Sequence, residues 1–336
     1  MKVLILNRAE VLELLPMPEC IAVMEETLAA LARGQAVNPM RQVYSVPDHR
    51  GLMALMPGYL AGKRTLGAKI VTVFPENRSV GQEIHQGAVL IFEAERGGLA
   101  AMIEAGAVTA LRTAAVSGVA TRWLAREEAT KLAILGSGVQ AYFHLRAMRA
   151  VRPITQVAIW SRQLDHAQAL ARKVSEEYRL PARVFPHARD AVAGADIICT
   201  TTSSPEPILR GEWLPPGVHI NAVGSSLPFQ RELDSAAVAR SRLFVDRRES
   251  ALKEAGDFVI PCSEGVVTEA HIRGEIGEVL VGKIVGRQSR DEITLFKSVG
   301  LAVEDVASGY YLYEKALAQG RGRWIEFNDS PWSLLQ

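Results

Sequence analysis

Cysteine is scarce in this chain, and the residues that occur, Cys20, Cys199 and Cys262, lie far apart. An odd number at such spacing builds neither a disulfide framework nor a CxxC metal or redox pair, so buried free thiols are expected. The histidines show no HxH or HExxH spacing, and no dedicated metal site is expected. Neither sign of charge dominates. With 38 Lys+Arg against 37 Asp+Glu and no run of like charge, a nucleic-acid-binding face lacks its electrostatic footprint. Long apolar runs are missing too: the N-terminal stretch Val3-Leu4-Ile5-Leu6 is cut short before Arg8, too early for the core of a secretory signal. No window approaches a membrane span, and a cytoplasmic protein is expected.

What is present divides in two. A chain of 336 residues exceeds what one hydrophobic core usually covers. From Pro18 to Arg33, Ile21, Met24, Leu28 and Leu31 recur at helical spacing, with Gly34 as a stop. Strand-like runs follow at 42–46, 66–74 and 87–92, separated by Gly, Pro and Asn turn signals, which predicts an α+β module with an antiparallel sheet. The Ala-rich stretch 107–126 predicts a long helix bridging to a second module, with the seam near residue 120. Beyond it, continuous apolar runs at 132–135, 157–160, 182–185, 197–200 and 218–223 alternate with helical segments, the pattern of strands buried on both faces of a doubly wound parallel sheet. The run Ile293-Thr294-Leu295-Phe296 and a helical stretch from Gly300 to Ala318 close the chain.

The strand Leu132–Leu135 runs into Gly136-Ser137-Gly138-Val139-Gln140-Ala141, which matches GxGxxA and precedes a helical segment. Gly136 allows a tight turn, Gly138 lets backbone N–H groups approach a pyrophosphate, and Ala141 permits close helix–strand packing. The helix N-terminus adds an anion site. This context predicts a Rossmann-type dinucleotide unit. Its second strand ends Trp160-Ser161-Arg162, where an NAD-preferring unit would place an acidic residue for the ribose 2′-hydroxyl. A hydroxyl and a guanidinium suit a 2′-phosphate instead, so NADPH is favoured, with NADH as the other candidate.

A small carboxylate substrate needs cations, and the first module offers Arg41, Lys69 and Arg112. Lys69 interrupts an apolar strand, where a cation is costly to bury unless an anion pairs with it, and a ligand carboxylate is a candidate for that anion. Spacing alone does not bring the three together.

The chain resembles the ornithine cyclodeaminase/mu-crystallin family along almost its whole length. The resemblance rests on Pro39-Met40-Arg41, Gly67-Ala68-Lys69, the run from His85-Gln86-Gly87 to Phe92, Leu111-Arg112-Thr113-Ala114-Ala115, the glycine motif at 136–141, Gly224 to Leu233, and Thr294 to Gly300 with Glu304-Asp305. It implies a Rossmann domain at 120–299 inserted in a substrate and dimerisation domain formed by 1–119 and 300–336, and a homodimer. It implies that Arg41, Lys69 and Arg112 hold the substrate carboxylate, with Lys69 close to the reacting carbon. It also implies cofactor contacts from His85, Gln86, Arg112, Thr113, Val223 and Ser298 beside residues 136–141, Ser161 and Arg162.

Family members include cyclodeaminases, alanine dehydrogenases and ketimine reductases. Cyclodeaminases and alanine dehydrogenases of the family carry an Asp two residues after the Gly that matches Gly224, and this chain has Ser226 there. A serine hydroxyl is a poor general base unless activated. Cyclodeamination must deprotonate an amine, whereas reduction of an iminium that arrives protonated needs orientation and a hydride. Ser226, His85-Gln86 and the Trp160-Ser161-Arg162 ending are closer to the mu-crystallin pattern. The expectation is NADPH-dependent reduction of 1-pyrroline-2-carboxylate or 1-piperideine-2-carboxylate to L-proline or L-pipecolate, with Lys69 and Ser226 as catalytic candidates. The alternatives are an NAD-dependent ornithine cyclodeaminase, an alanine dehydrogenase-like enzyme, an acyclic imine reductase and a non-catalytic binding protein.

Overall fold

A computed structural model describes residues 2–48 and 50–327, apart from the side chain of Arg78. The chain separates into two compact units, Met1–Arg112 with Leu301–Gln336, and Thr113–Gly300. The division falls inside the helix Ala105–Leu124, a few residues before the seam read from composition. No described helix is long and apolar enough to cross a membrane.

In the first unit the strands are β1 (Lys2–Leu6), β2 (Ala36–Val37), β3 (Gln42–Ser45), β4 (Leu52–Leu60), β5 (Thr65–Val73), β6 (His85–Glu93) and β7 (Leu99–Glu104), with a C-terminal strand Arg323–Glu326 beside β1. The sheet runs from the C-terminal strand through β1, β7, β6, β5 and β4 to β2, with β3 also on β4. It is antiparallel throughout except where β1 lies parallel to β7. Period-2 alternation does not reveal β4, because its centre carries Pro57 and Gly58. The pairing explains their tolerance: β3 ends its ladder at Leu55 and β2 begins at Tyr59, so Pro57 sits where no outer neighbour needs its missing N–H.

Two helices cover one face of this sheet. Met17–Ala32 buries Ile21, Met24 and Leu28 on one stripe, and Ala302–Gln319 buries Val303, Val306 and Leu312. Each fully buried aliphatic side chain contributes about 1.5–3 kcal/mol. The second helix lies close on β5, since a Cβ at Gly67 would come within 2.8 Å of Val306 Cγ2. That close approach seats the first turn of the helix, with Glu304 and Asp305, on the strand that carries Lys69.

In the second unit the strands are β8 (Lys131–Leu135), β9 (Gln156–Trp160), β10 (Ala182–Val184), β11 (Ile197–Thr200), β12 (His219–Ala222), β13 (Arg242–Val245), β14 (Ile272–Glu275) and β15 (Thr294–Lys297). All pairings are parallel, in the order β10-β9-β8-β11-β12-β15-β13-β14. The chain builds outward from β8 to β10, then returns to β11 on the other side of β8. This reversal makes the crevice at the carboxyl ends of β8 and β11 the ligand position in a doubly wound sheet. The central strands β11, β12 and β15 are buried along their whole length, which is why they read as continuous apolar runs. β13 and β14 fall in stretches whose charged residues break the apolar pattern, and periodicity does not reveal them. Cys20 and Cys199 are buried free thiols, while Cys262 is only partly covered.

Candidate functional site

The first unit gathers the three cations. Lys69 stands at the middle of β5, opposite Met56 of β4 and Val89 of β6, and is 3% exposed. Its Nζ lies 2.8 Å from Asp305 Oδ2 and 3.4 Å from Thr109 Oγ1. Arg112, also buried, donates from Nε to Asp305 Oδ1 at 3.0 Å and from Nη1 to Glu304 Oε2 at 2.6 Å. One carboxylate therefore ties two cations into a fixed array. The anion required by a lysine in an apolar strand is thus Asp305 of the protein itself, where the sequence alone leaves a ligand carboxylate as the candidate.

Burial is the main influence on Lys69 and brings its pKa down to about 8, with Asp305 opposing and the charges of Arg112 and Arg41 adding to the fall. Arg41, just ahead of β3, thus lies within electrostatic reach of the pair. His85 opens β6 and faces Val73 across the ladder, beside Gln86 opposite Thr72. Although His85 is exposed at the start of the strand, its pKa is lowered, first by partial desolvation of the ring and then by the charge of Lys69. Arg41, Lys69, His85 and Arg112 therefore belong to one electrostatic neighbourhood, reached from four separate parts of the sequence.

The second unit carries the nucleotide motif. β8 ends at Leu135, and Gly136 turns with φ +129°, its N–H donating to Trp160 O at 2.8 Å. A Cβ at Gly136 would lie 2.6 Å from Thr201 Oγ1, so the turn is pressed against the loop after β11. Gly138 caps the helix Val139–Val151, and a Cβ there would meet no atom within 4 Å. The helix N-terminus therefore opens onto free space, which leaves its backbone N–H groups open to the approach of an anion such as a pyrophosphate. Ala141 is fully buried against the sheet, as close helix packing requires. Ser137 Oγ and Ser161 Oγ, from the ends of β8 and β9, lie 2.9 Å apart, and Arg162 follows on the exposed side. Thr113 opens this unit within the long helix, and Val223, Gly224 and Ser226 follow β12.

Two buried polar atoms support the fit of a dinucleotide. Ser298 Oγ, just past β15, and Gln140 Oε1, in the glycine motif, have no hydrogen-bond partner among the described residues. A buried polar atom left so is costly, and a ligand donor or acceptor is the simplest remedy.

Sequence reading gives no role to a second buried charge cluster in this unit. Glu232, fully buried, accepts four hydrogen bonds: from Thr200 Oγ1 at 2.7 Å, Thr202 N at 2.6 Å, Thr202 Oγ1 at 2.7 Å and Gly224 N at 2.7 Å. Asp257 accepts from the backbone N–H groups of Glu232 and Leu233, and its other oxygen lies 2.9 Å from Lys297 Nζ. The available signal is weak: a lone carboxylate in Arg231-Glu232-Leu233 looks like any surface residue until its burial is known.

Residues 1–320 match the model of the ornithine cyclodeaminase/mu-crystallin family. The chain belongs to that family. Among relatives of this family member, a Delta(1)-pyrroline-2-carboxylate reductase of Bacillus cereus is 39% identical over 325 residues, 96% of this chain and 100% of that protein. The ketimine reductase mu-crystallin of Mus musculus is 38% identical over 294 residues, 87% of this chain and 90% of that protein. In structure, the Thermococcus litoralis Delta(1)-pyrroline-2-carboxylate reductase in complex with NADH and L-proline superposes with a TM-score of 0.93 at 38% identity, covering 96% of this chain and 99% of that one. This family member is an NAD(P)H-dependent oxidoreductase with an α/β fold of the Rossmann type.

Proposed function

We propose that this enzyme reduces the cyclic ketimines 1-pyrroline-2-carboxylate and 1-piperideine-2-carboxylate to L-proline and L-pipecolate with NADPH, in the cytoplasm. The observation that carries the reading is the buried array of Lys69 and Arg112 on Asp305 and Glu304, with Arg41 in electrostatic reach. Asp305 and Glu304 balance Lys69 and Arg112 in this array, and the remaining N–H donors of the two cations, with Arg41 beside them, are the groups that would receive a substrate carboxylate. The relatives named as a Delta(1)-pyrroline-2-carboxylate reductase and as a ketimine reductase support imine reduction.

The bound reduced nicotinamide supplies a hydride. Lys69, Arg41 and Arg112 hold the substrate carboxylate, which fixes the adjacent C2 in place. Because the imine enters protonated, the electron pair of the C=N double bond returns to nitrogen as hydride adds to C2, and no proton need be taken from the substrate. Ser226 hydrogen-bonds the ring N–H, and orientation is the protein's main contribution. Ser161 and Arg162, at the end of β9, favour a 2′-phosphate and hence NADPH over NADH. His85, Gln86, Thr113, Val223 and Ser298 complete the contacts to the cofactor.

The enzyme works as a homodimer joined through its first unit. The face of its sheet opposite the two helices carries Leu55, Leu66, Ile70, Leu90, Phe92 and Met102, of which Leu66 and Met102 are 44% and 36% exposed. A continuous apolar face of this kind marks an association surface.

The test mixes purified enzyme with NADPH or NADH and a panel of cyclic and acyclic α-imino acids, following loss of reduced-cofactor absorbance. Rapid oxidation of NADPH with a cyclic ketimine, slower with NADH, is expected. No oxidation with any imine, together with ammonia release from ornithine in the presence of NAD, would replace the reading by cyclodeamination.

A further inference from the structure

We infer that Glu232 is a positioning residue for hydride transfer, joining the loops after β11 and β12 into a single rigid bed for the cofactor. Each of its oxygens takes one backbone N–H and one hydroxyl: Oε1 from Thr202 N and Oγ1, Oε2 from Gly224 N and Thr200 Oγ1. An ionised carboxylate, which only accepts, satisfies all four donors at once. Thr201, between the two threonines it holds, is the residue on which the Gly136 turn rests. On the other side, Gly224 is pressed so close that a Cβ would lie 2.6 Å from Glu232 Oε1, and Ser225 and Ser226 follow directly. Ser225 Oγ donates to Gln230 O, which closes this loop on itself. One buried side chain therefore sets both the floor of the pyrophosphate turn and the position of Ser226.

The carboxylate is itself held in register. Asp257 Oδ1 accepts from Glu232 N and Leu233 N at 2.7 Å and 2.9 Å, and Asp257 Oδ2 pairs with Lys297 at the end of β15. Lys297 and Asp257 are 1% and 2% exposed, so the chain from β15 to Glu232 is sealed from water and cannot relax through it. Such an arrangement suits a site where a displacement of about 1 Å costs about a hundredfold in rate.

The inference rests on the cofactor and Ser226 assignments above, and the experiment separates the two. Glu232→Gln preserves shape but replaces one acceptor oxygen by an NH2, which faces either Thr202 N or Gly224 N donor to donor. Wild type, E232Q, S226A and the double variant are compared for NADPH binding, by nucleotide fluorescence, and for turnover of 1-pyrroline-2-carboxylate. For E232Q, NADPH affinity is expected within about threefold of wild type and kcat lower by about 10–100-fold. In the double variant the two losses should not multiply, because Glu232 acts through the loop that bears Ser226. Unchanged kcat in folded E232Q, or fully multiplicative losses, overturns the inference. If E232Q does not fold, Thr202→Val decides. It keeps the carboxylate and removes one donor, a smaller loss of kcat in the same direction is expected, and unchanged kcat overturns the inference. Wild type that binds NADPH yet oxidises it with no imine overturns the functional reading and the inference together, an outcome visible before any variant is made.

Discussion

Lys69 Nζ and Asp305 Oδ2 lie 2.8 Å apart, with both side chains sealed from solvent. The pair joins a central strand to the first turn of the last helix, and the second oxygen of Asp305 holds Arg112. Lys69 must be protonated to hold a carboxylate. Since burial brings its pKa to about 8, kcat/KM for the imino acid should fall as pH rises through about 8. Asp305 is the main influence sustaining that proton, so Asp305→Asn moves this alkaline limb to lower pH. It also breaks a buried ion pair at a cost of about 3–5 kcal/mol of stability. A pH profile of kcat/KM for both proteins, with melting curves, checks this; an unmoved limb would show that Lys69 does not titrate in it.

The two glycines of the nucleotide turn should behave oppositely when changed to alanine. Gly136 has φ +129° and a Cβ there meets Thr201 Oγ1 at 2.6 Å, so Gly136→Ala destabilises the second unit, by about 1–3 kcal/mol. At Gly138 the added methyl meets no protein atom within 4 Å, so Gly138→Ala keeps the melting temperature and weakens NADPH binding by about tenfold or more. Paired thermal melts and nucleotide titrations make the comparison. Equal nucleotide affinity in G138A would remove the pyrophosphate from that helix N-terminus.

Arg162 is exposed at the end of β9, next to the Ser137–Ser161 contact. Its replacement by alanine should raise KM for NADPH by about 10–100-fold, the loss of a charge-assisted contact to a phosphate, while KM for NADH changes little. Steady-state kinetics with both cofactors reads the ratio. A parallel change for the two would place the 2′-phosphate elsewhere.

Leu66 stands on the uncovered face of the first sheet, across from Tyr59 and Phe92. Leu66→Asp places a charge on a surface read as the dimer contact, where an unpaired charge is costly to bury. Sedimentation should show wild-type dimer and variant monomer at micromolar concentration. A variant that stays dimeric would move the interface to another face.

Much of the architecture is legible because local chemistry and tertiary role coincide. Continuous apolar runs follow from strands buried on two faces, and the glycine motif between a strand and a helix is a local device whose geometry needs no distant partner. The first unit is harder to read. β4 is hidden by Pro57, tolerated only because its outer neighbours stop on either side of it, and β1 reads as a short apolar run because its role depends on pairing with β7 and the C-terminal strand.

The sequence by itself determined the doubly wound parallel unit, the glycine turn between its first strand and helix, the strand end at Ser161-Arg162 and, through resemblance, the family. It named Arg41, Lys69 and Arg112 as cations in search of an anion. Only the tertiary structure decided what balances Lys69 and Arg112, because Glu304 and Asp305 reach them across a contact that spacing along the chain does not encode. The same holds for Glu232: its type and neighbours suit an exposed surface residue, and burial among four donors from two loops makes it a structural charge. Electrostatic pairing acts through space over a few ångströms, so its partners are set by packing rather than by sequence order.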